Sequence, residues 1–239
     1  MKKARKSIGP VAAVRTPRQR RSRASQERLL NAAHEVLVEK GFSGCRLEDV
    51  SERSGVSIGG IYGRFGNKEG LIRVLQDRVL AQLEGEFIRA VEQLRHRRMS
   101  LPLLVETCIR EFSELARRHA DILNAFMQAG HFDAVIRENG RDVHRRMMHG
   151  LAELLLRQRD EMAHPDPERG VTVILRVVYD SLARYLGLDS YADLHGEGNW
   201  GDLVAELANI AVAYLMSRPV GATATRRRSS VRTAGRGNA

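Results

Sequence analysis

The sequence predicts an all-α protein: a small N-terminal three-helix helix-turn-helix domain followed by a larger helical domain for ligand binding and dimerisation. Three observations support this prediction. Apolar residues recur at helical spacing from Ser25 onward, whereas the alternation typical of strands is scarce. No Asn-Gly or Asp-Gly turn joins two apolar strands. A glycine-rich segment interrupts the helical pattern near the N-terminus.

The predicted helices follow one another along most of the chain. The first has an apolar face from Leu29 to Leu37 and is expected to end at Gly41. A short pattern follows over 47–50, and then a long apolar stripe from Leu71 to Leu94. Further helices are predicted over 101–115, 122–128, 132–162, 171–186 and 202–216, with breaks at Gly130, at 164–167 and at 187–201.

The net charge of +10 is concentrated at the two ends of the chain. Residues 1–23 hold nine Lys or Arg and residues 218–239 hold six Arg, without an acid in either, whereas residues 24–217 hold 24 basic and 29 acidic residues. We therefore predict a disordered basic arm over 1–24 and a disordered basic tail over 218–239. Such ends either are merely solvated or hold DNA phosphates by counterion release.

Several classes of protein are disfavoured by what the sequence lacks. No run of eighteen apolar residues predicts a membrane span, and no apolar segment after the cationic start predicts a secretory signal. Cys45 and Cys108 lie far apart, which suits a reduced cytoplasmic setting. Cys108 fits a packing role, and Cys45, near the glycine-rich segment, is the better redox candidate.

Catalytic and metal-binding patterns are also missing from the sequence. It has no G-x-S-x-G elbow, phosphate-binding loop, dinucleotide fingerprint or H-E-x-x-H motif, so we predict neither an enzyme nor a cofactor. Several histidines and aspartates fit no compact ligand spacing, so no metal site is predicted. They are His119, Asp121, His131, Asp133, His144 and His149.

Residues 47–65 have the pattern of two short helices joined by a tight turn. Gly55 suits the left-handed end of the first helix, and Ser57 suits the N-cap of the second. Ile61 and Phe65 supply the buried side of the second helix, and Gly66 ends it. Two such helices joined by a glycine-containing turn form a helix-turn-helix, whose second helix enters the DNA major groove.

Three glycines within the second helix are unusual for a helix interior. Gly59, Gly60 and Gly63 would lie on or beside the DNA-facing side, where missing side chains let the backbone approach bases and phosphates. Glycines at this spacing also mark helix packing. The neighbouring cations Arg64 and Lys68 favour the DNA-facing interpretation.

The stretch GFSGCRLEDVSERSGVSIGGIYGRFGNKEGL resembles the N-terminal domain of the tetracycline-repressor (TetR) family of bacterial transcription regulators. The similarity covers residues 25–72, with GVSxGxIYxxFxxKExL as its specific core. The resemblance implies a DNA-binding domain over 25–72 and an effector-binding, dimerising domain over 73–217. It also implies specific contacts: Tyr62 and Lys68 with phosphates, and Ser57, Ile58, Gly59 and Gly60 nearest the bases. The alternative for Tyr62 is a half-buried packing role.

Some positions depart from the family pattern. Cys45-Arg46 replaces the usual pair of hydroxyl residues, so Arg46 is expected to supply the phosphate contact instead. Ser51 stands where Ala is usual, and Gly63 replaces an aromatic residue. Direct contact with the bases then depends mainly on Arg64, which is expected to contact a guanine. The alternative is that Arg64 contacts a phosphate instead.

The larger domain is expected to contain the dimer interface and an effector pocket. The apolar stripes over 171–186 and 202–216 are wide enough for a four-helix bundle with a second copy, although each is also explained by the core of its own subunit. An adaptable apolar neighbourhood marks a candidate pocket, or else ordinary core. Its residues are Phe112, Phe126, Met127, His131, Met147, Met148 and Tyr179.

Together these features predict a cytoplasmic homodimeric repressor. It would bind a palindromic operator in double-stranded DNA and be released by an unknown small-molecule effector. The alternative is a protein that coats DNA without sequence preference by means of its basic tails. A specific regulator would protect one short palindrome, whereas a coating protein would have no preferred site.

Overall fold

The structure, a computed structural model, describes residues 17–188 and 198–218, with side chains from residue 22 onward. The predicted arm up to residue 16 and the tail from residue 219 lie outside the described residues. Nine α-helices and one short 3-10 helix (Arg159–Glu161) make up the regular structure of the described part, which contains no strand. The helices are α1 Pro17–Gly44, α2 Leu47–Ser54, α3 Ile58–Phe65, α4 Lys68–Arg95, α5 Leu101–Arg118, α6 Ala120–Gly130, α7 Ala134–Leu156, α8 Pro167–Tyr185 and α9 Trp200–Met216. The all-α prediction is confirmed.

Helix α1 differs from its predicted limits at both ends. It begins at Pro17, so residues 17–24 are helical where a disordered arm was expected. Proline is favoured at a helix start, and the arginines and glutamine that follow it are good helix formers. At Gly41 the backbone takes a positive φ of 66°, so the helix is kinked where it was expected to end, and it resumes as far as Gly44.

Side-chain caps explain two further differences in helix limits. The Asp133 carboxylate accepts hydrogen bonds from the N–H groups of Val135 and Ile136, which starts α7 at Ala134 rather than at Phe132. Phe132 is left outside the helix and is 78% exposed. Likewise, the Asp166 side chain accepts from Arg169 N–H, so α8 begins at Pro167, four residues before its predicted start.

Two hydrophobic cores are built around the long helix α4. The first contains α1, α2, α3 and the start of α4, together with apolar residues of α6 and Ile136 of α7. The second contains the rest of α4 with α5, α7, α8 and α9. Because α4 runs unbroken over 28 residues, about 42 Å at 1.5 Å per residue, one rigid element belongs to both cores. No helix among the described residues is long and apolar enough to cross a membrane.

Candidate nucleic-acid interface and ligand cavity

The turn between α2 and α3 is fastened by hydrogen bonds of its own residues. Gly55 has the left-handed φ of 67° that favours glycine, and its N–H donates to the Ser51 carbonyl at 3.0 Å. The Ser51 hydroxyl donates to the Val56 carbonyl at 2.7 Å, and Val56 N–H donates to the Ser54 hydroxyl at 3.2 Å. Ser51, noted from sequence only as a departure from alanine, therefore links the end of α2 to the turn.

Helix α3 starts as the sequence predicts. The Ser57 hydroxyl accepts a hydrogen bond from Gly60 N–H at 3.2 Å, which confirms Ser57 as the N-cap. Ile61 is fully buried in the first core. A Cβ at Gly60 would lie 3.3 Å from both the Ser57 hydroxyl and the Val56 side chain. Gly60 therefore keeps the cap and the turn tightly packed.

The opposite side of α3 forms an open surface. A Cβ added at Gly59 or Gly63 would meet no atom within 4 Å. Tyr62 is 52% exposed and Ile58 is 36% exposed on the same short helix. With about half of its surface exposed, Tyr62 is compatible with both the phosphate contact and the half-buried packing role. We call this surface, formed by Ile58, Gly59, Tyr62 and Gly63, the α3 outer face.

The cationic side chains around α3 differ in whether other groups of the protein already bind them. Arg53 pairs with both oxygens of Glu39 at 2.7 and 2.8 Å, which joins α2 to α1. Lys68 donates to the Phe42 carbonyl and lies 4.4 Å from the centre of the Phe42 ring. By contrast, Arg64 donates only to the Ser25 hydroxyl at 3.2 Å, and Arg46 is exposed and makes no side-chain cap. Neither of these two arginines is ion-paired with a described residue.

The join between α3 and α4 depends on a glycine whose role sequence analysis missed. Asn67 caps α4 by accepting from Gly70 N–H at 2.7 Å. A Cβ at Gly70 would overlap the backbone carbonyl of Phe65. Gly70 thus allows the end of α3 to contact the first turn of α4. The only signal in the sequence was one more glycine, three positions after the capping Asn67.

The interpretation of Cys45 as the better redox candidate needs correction. The side chain is 2% exposed and belongs to the first core. Burial raises the pKa of its thiol, which disfavours the reactive thiolate. Cys108 is also buried, and burial raises its pKa to about 12. Both cysteines therefore have the character of packing residues.

A cavity of about 460 Å³ lies among α4, α5, α6, α7 and α8. Six of the seven residues predicted for an effector pocket line it: Phe112, Phe126, Met127, His131, Met147 and Tyr179. Met148 does not line this cavity and packs against the second core.

Most of the polar lining of this cavity was not predictable from the sequence. Gln76 is 2% exposed, and its Nε2 donates to the Ile136 carbonyl at 2.8 Å, while its Oε1 has no partner among the described residues. Arg137, Arg141 and His144 also line the cavity. In the sequence, Gln76 was detectable only as a polar residue among the apolar positions 72, 75, 79 and 80 of the α4 stripe.

The histidines considered as metal ligands are dispersed. His144 lies 4.1 Å from Tyr179 between ring centres, and burial lowers its pKa. His119 lies near Glu86, and His149 lies near Glu153 one helical turn away. Within the described residues, no three side chains of His, Cys, Asp or Glu are grouped as a metal site.

Helices α8 and α9 each bury one apolar side and expose another. Val171, Ile174 and Val178 of α8 are buried, as are Leu207 and Leu215 of α9. Apolar side chains nevertheless remain exposed on both helices: Val173 and Val177 on α8, and Ile210 and Met216 on α9. The stripes therefore serve the core and also leave apolar surface uncovered.

This fold, with an exposed second helix after a tight glycine turn, defines a helix-turn-helix protein. Residues 29–75 match the family described as "Bacterial regulatory proteins, tetR family". Over 121 residues the chain is 29% identical to the uncharacterized HTH-type transcriptional regulator YvkB of Bacillus subtilis. That match covers 48% of this chain and spans just over half, 57%, of the relative.

Solved structures share the fold at low sequence identity. A TetR-family transcriptional regulator from Mesorhizobium loti has a TM-score of 0.67 at 14% identity, over 82% of this chain and 96% of its own. The fatty acid degradation regulator FadR from Bacillus halodurans has a TM-score of 0.54 at 16% identity, over 78% and 97%. Residues 29–75 therefore match the TetR family, and the chain as a whole shares the fold of solved TetR-family regulators.

Proposed function

We propose that this regulator is a homodimeric repressor whose binding to a palindromic operator is controlled by a small molecule in the cavity. The single observation that carries the proposal is the continuity of α4. Its first residue, Lys68, lies directly after the helix-turn-helix, and Gln76, Leu80 and Leu83 of the same helix line the cavity. A ligand that displaces the middle of α4 would therefore also displace the helix-turn-helix.

In the proposed complex the α3 outer face enters the major groove. Ser57, Ile58 and Gly59 would lie nearest the bases, with the backbone approaching closely at the open Gly59, whereas Gly60, predicted with them, would pack the turn behind them. The Tyr62 hydroxyl would donate to a phosphate, and its exposure supports this role.

The cations would divide the remaining DNA contacts. Arg64, whose one side-chain partner is a serine hydroxyl, is the candidate for a guanine contact. Arg46 would contact a phosphate at the start of α2. Lys68 would reach a second phosphate only by leaving the Phe42 carbonyl, so we assign it a smaller share of the affinity.

The proposed dimer forms through residues 171–186 and 202–216. The exposed apolar side chains of α8 and α9 support this surface, since a second copy would remove them from water. Dimerisation also suits the DNA, because two recognition helices one helical turn apart read enough bases for useful specificity.

Ligand control would operate as a shift between two arrangements of the dimer. A ligand that binds better to one arrangement favours it by the difference in its affinities for the two. Besides the Gln76 contact, α4 is tied to α7 by an ion pair between Arg73 Nε and Asp133 Oδ2 at 2.7 Å. These two links lie one turn apart on α4 and would transmit a movement of α7 toward α3.

The proposed division of labour follows the domain limits expected from the sequence. Residues 25–72 would bind the operator, residues 73–217 would bind the effector and form the dimer, and the basic ends would add affinity for phosphates. A regulator of this kind acts in the cytoplasm, where bacterial DNA is accessible.

Selection of bound sequences from a random duplex pool tests the proposal. The wild-type protein should recover a palindrome, and a variant with Arg64→Ala and Tyr62→Phe should lose it. An Arg110→Ala variant is a matched control, because Arg110 is an exposed arginine on α5, away from the helix-turn-helix. Binding without any preferred site at moderate salt would instead favour the DNA-coating alternative.

A further inference from the structure

The cavity has a one-sided charge. The described residues that line it include Arg137, Arg141, His131 and His144 but no aspartate or glutamate. Arg137, Arg141 and His131 are exposed to solvent and so mark the mouth, whereas His144 is held deeper against Tyr179. Two arginines, Arg137 and Arg141, therefore lie at the opening of an otherwise largely apolar space.

The two arginines at the mouth are not equally neutralised. Arg141 lies 3.0 Å from a carboxylate oxygen of Glu138, so its charge is partly balanced. Arg137 donates to the backbone carbonyl of Gly130 at 2.8 Å and has no ion pair among the described residues. Because a carbonyl carries no net charge, the positive charge of Arg137 remains available to a ligand.

The interior is long and apolar. Along α7 the lining runs from Ile136 to Met147, a distance of about 16 Å at the helical rise. Its walls are mostly aliphatic and aromatic side chains, among them Leu80, Leu83, Phe112, Phe126 and Val143. A volume of about 460 Å³ lies within the range of small-molecule sites.

From this arrangement we propose that the effector is an elongated apolar molecule with an oxyanion head, bound with its tail inward and its head at Arg137. The inference rests on the proposed role of the cavity and adds the chemical class of its ligand. An arginine at the mouth stabilises a carboxylate or phosphate by charge-assisted hydrogen bonds. It repels a cationic head and gives a neutral head less stabilisation.

A series of ligands with one tail and different heads tests the class. Dodecanoate, dodecyl phosphate, dodecanol and dodecyltrimethylammonium are each titrated into the full-length protein by calorimetry, below their micelle-forming concentrations. We expect one site per chain and at least about tenfold tighter binding of an anion than of the alcohol or the cation. The order of the two anions distinguishes a carboxylate from a phosphate head.

Three variants locate the binding. Arg137→Gln should weaken the preferred anion about tenfold and leave dodecanol within about twofold. Arg145→Gln is the matched control, because Arg145 is an exposed arginine on the same helix that pairs with Asp142 and does not line the cavity. Gly140→Leu places a side chain toward the lining residue Gln76 and should weaken all heads alike.

The ligand class is overturned if the cation or the alcohol binds as tightly as the anions, if neither anion binds saturably, or if Arg137→Gln has no effect. These results would leave the proposed regulator intact, since its operator is found without any ligand. Conversely, an anion that binds through Arg137 but never changes operator affinity would support the class and contradict ligand control.

Discussion

Gly63 and Gly70 lie seven residues apart and differ in what surrounds them. Gly63 faces open space, whereas a side chain at Gly70 would overlap the Phe65 carbonyl. We expect Gly70→Ala to lower the free energy of unfolding by about 1–3 kcal/mol. Gly63→Ala should raise it by up to about 1 kcal/mol, because alanine is the better helix former. Urea unfolding measures both, and equal effects of the two changes would contradict the packing described for Gly70.

Cys108 gives a prediction about pH. Its pKa is raised by burial from 9.0 to about 12, so above pH 9 the unfolded chain ionises its thiol while the folded chain does not. The stability that Cys108 contributes is present below pH 9 and is lost as the pH rises toward 12. At pH 10 the loss amounts to about 1.4 kcal/mol.

Urea unfolding of the wild type and of Cys108→Ala at pH 8 and pH 10 isolates this effect. The difference in unfolding free energy between the two proteins should change between the two pH values by about the amount given above. Cys45→Ala provides a comparison at the other buried thiol. A constant difference for Cys108 would mean that its thiol ionises equally in both states.

Residue roles could be predicted from sequence where the partner is local. The cap by Ser57 and the turn at Gly55 involve atoms within a few residues, so residue type and spacing were sufficient. The hydrogen bonds of Gln76 and Arg137 depend on partners that the fold brings next to them. Gln76 donates to Ile136 of α7, 60 residues away, and Arg137 donates to Gly130 of α6, 7 residues away. No local pattern contains that information.

At the scale of elements, the presence of each α-helix was predictable from the sequence, whereas the residues at which the helices begin and end were less predictable. The 3.6-residue period found every α-helix of the described chain, because each buries one face, but it merged α7 and the 3-10 helix that follows it into one predicted helix over 132–162. The start of α7 depended on Asp133, which sequence analysis had treated only as a possible metal ligand. The cap of α8 by Asp166 moved that helix start in the same way.

Asp133 also links elements, which gives a prediction. Burial raises the pKa of its carboxyl. Hydrogen bonds from Arg73 and from the α7 N–H groups lower that pKa by a larger amount, so the net shift is downward. We expect Asp133→Ala to reduce the unfolding free energy by about 2 kcal/mol, since a cap and a charged hydrogen bond are lost. This contribution is present above the unfolded pKa of about 4 and should be lost as the pH falls from there through the lowered pKa of the folded state.

Asp142→Ala provides the control for Asp133→Ala. Asp142 is an exposed aspartate of α7 whose partner Arg145 lies one turn away, and such surface pairs contribute within about 0.5 kcal/mol. Urea unfolding at pH 7 and pH 3.5 compares the two variants. Similar losses at both positions would show that Asp133 does not join α7 to α4.

At the scale of the whole molecule, the surface of α8 and α9 predicts the oligomeric state. Val177→Asp with Ile210→Asp should weaken dimerisation at least about 100-fold, because each charge would be buried against the second copy. Sedimentation measures the mass, and the double variant should also lose cooperative operator binding.

Ile88→Asp is the matched control for this surface. Ile88 is 57% exposed on α4, compared with 42% for Val177 and 50% for Ile210. It should leave the dimer intact. A wild-type monomer at micromolar concentration would contradict dimerisation itself, and a dimer lost equally in the control would place the interface elsewhere.

The shared core has a consequence for building hybrid regulators. Residues of α6 and Ile136 of α7 complete the core that surrounds the helix-turn-helix. In a chimaera joined after residue 72, a foreign DNA-binding segment would therefore pack against residues of α6 and α7 that fit the original segment. Exchange of operator specificity between relatives should succeed only when the apolar faces of α1 and α6 are transplanted together, as a matched pair.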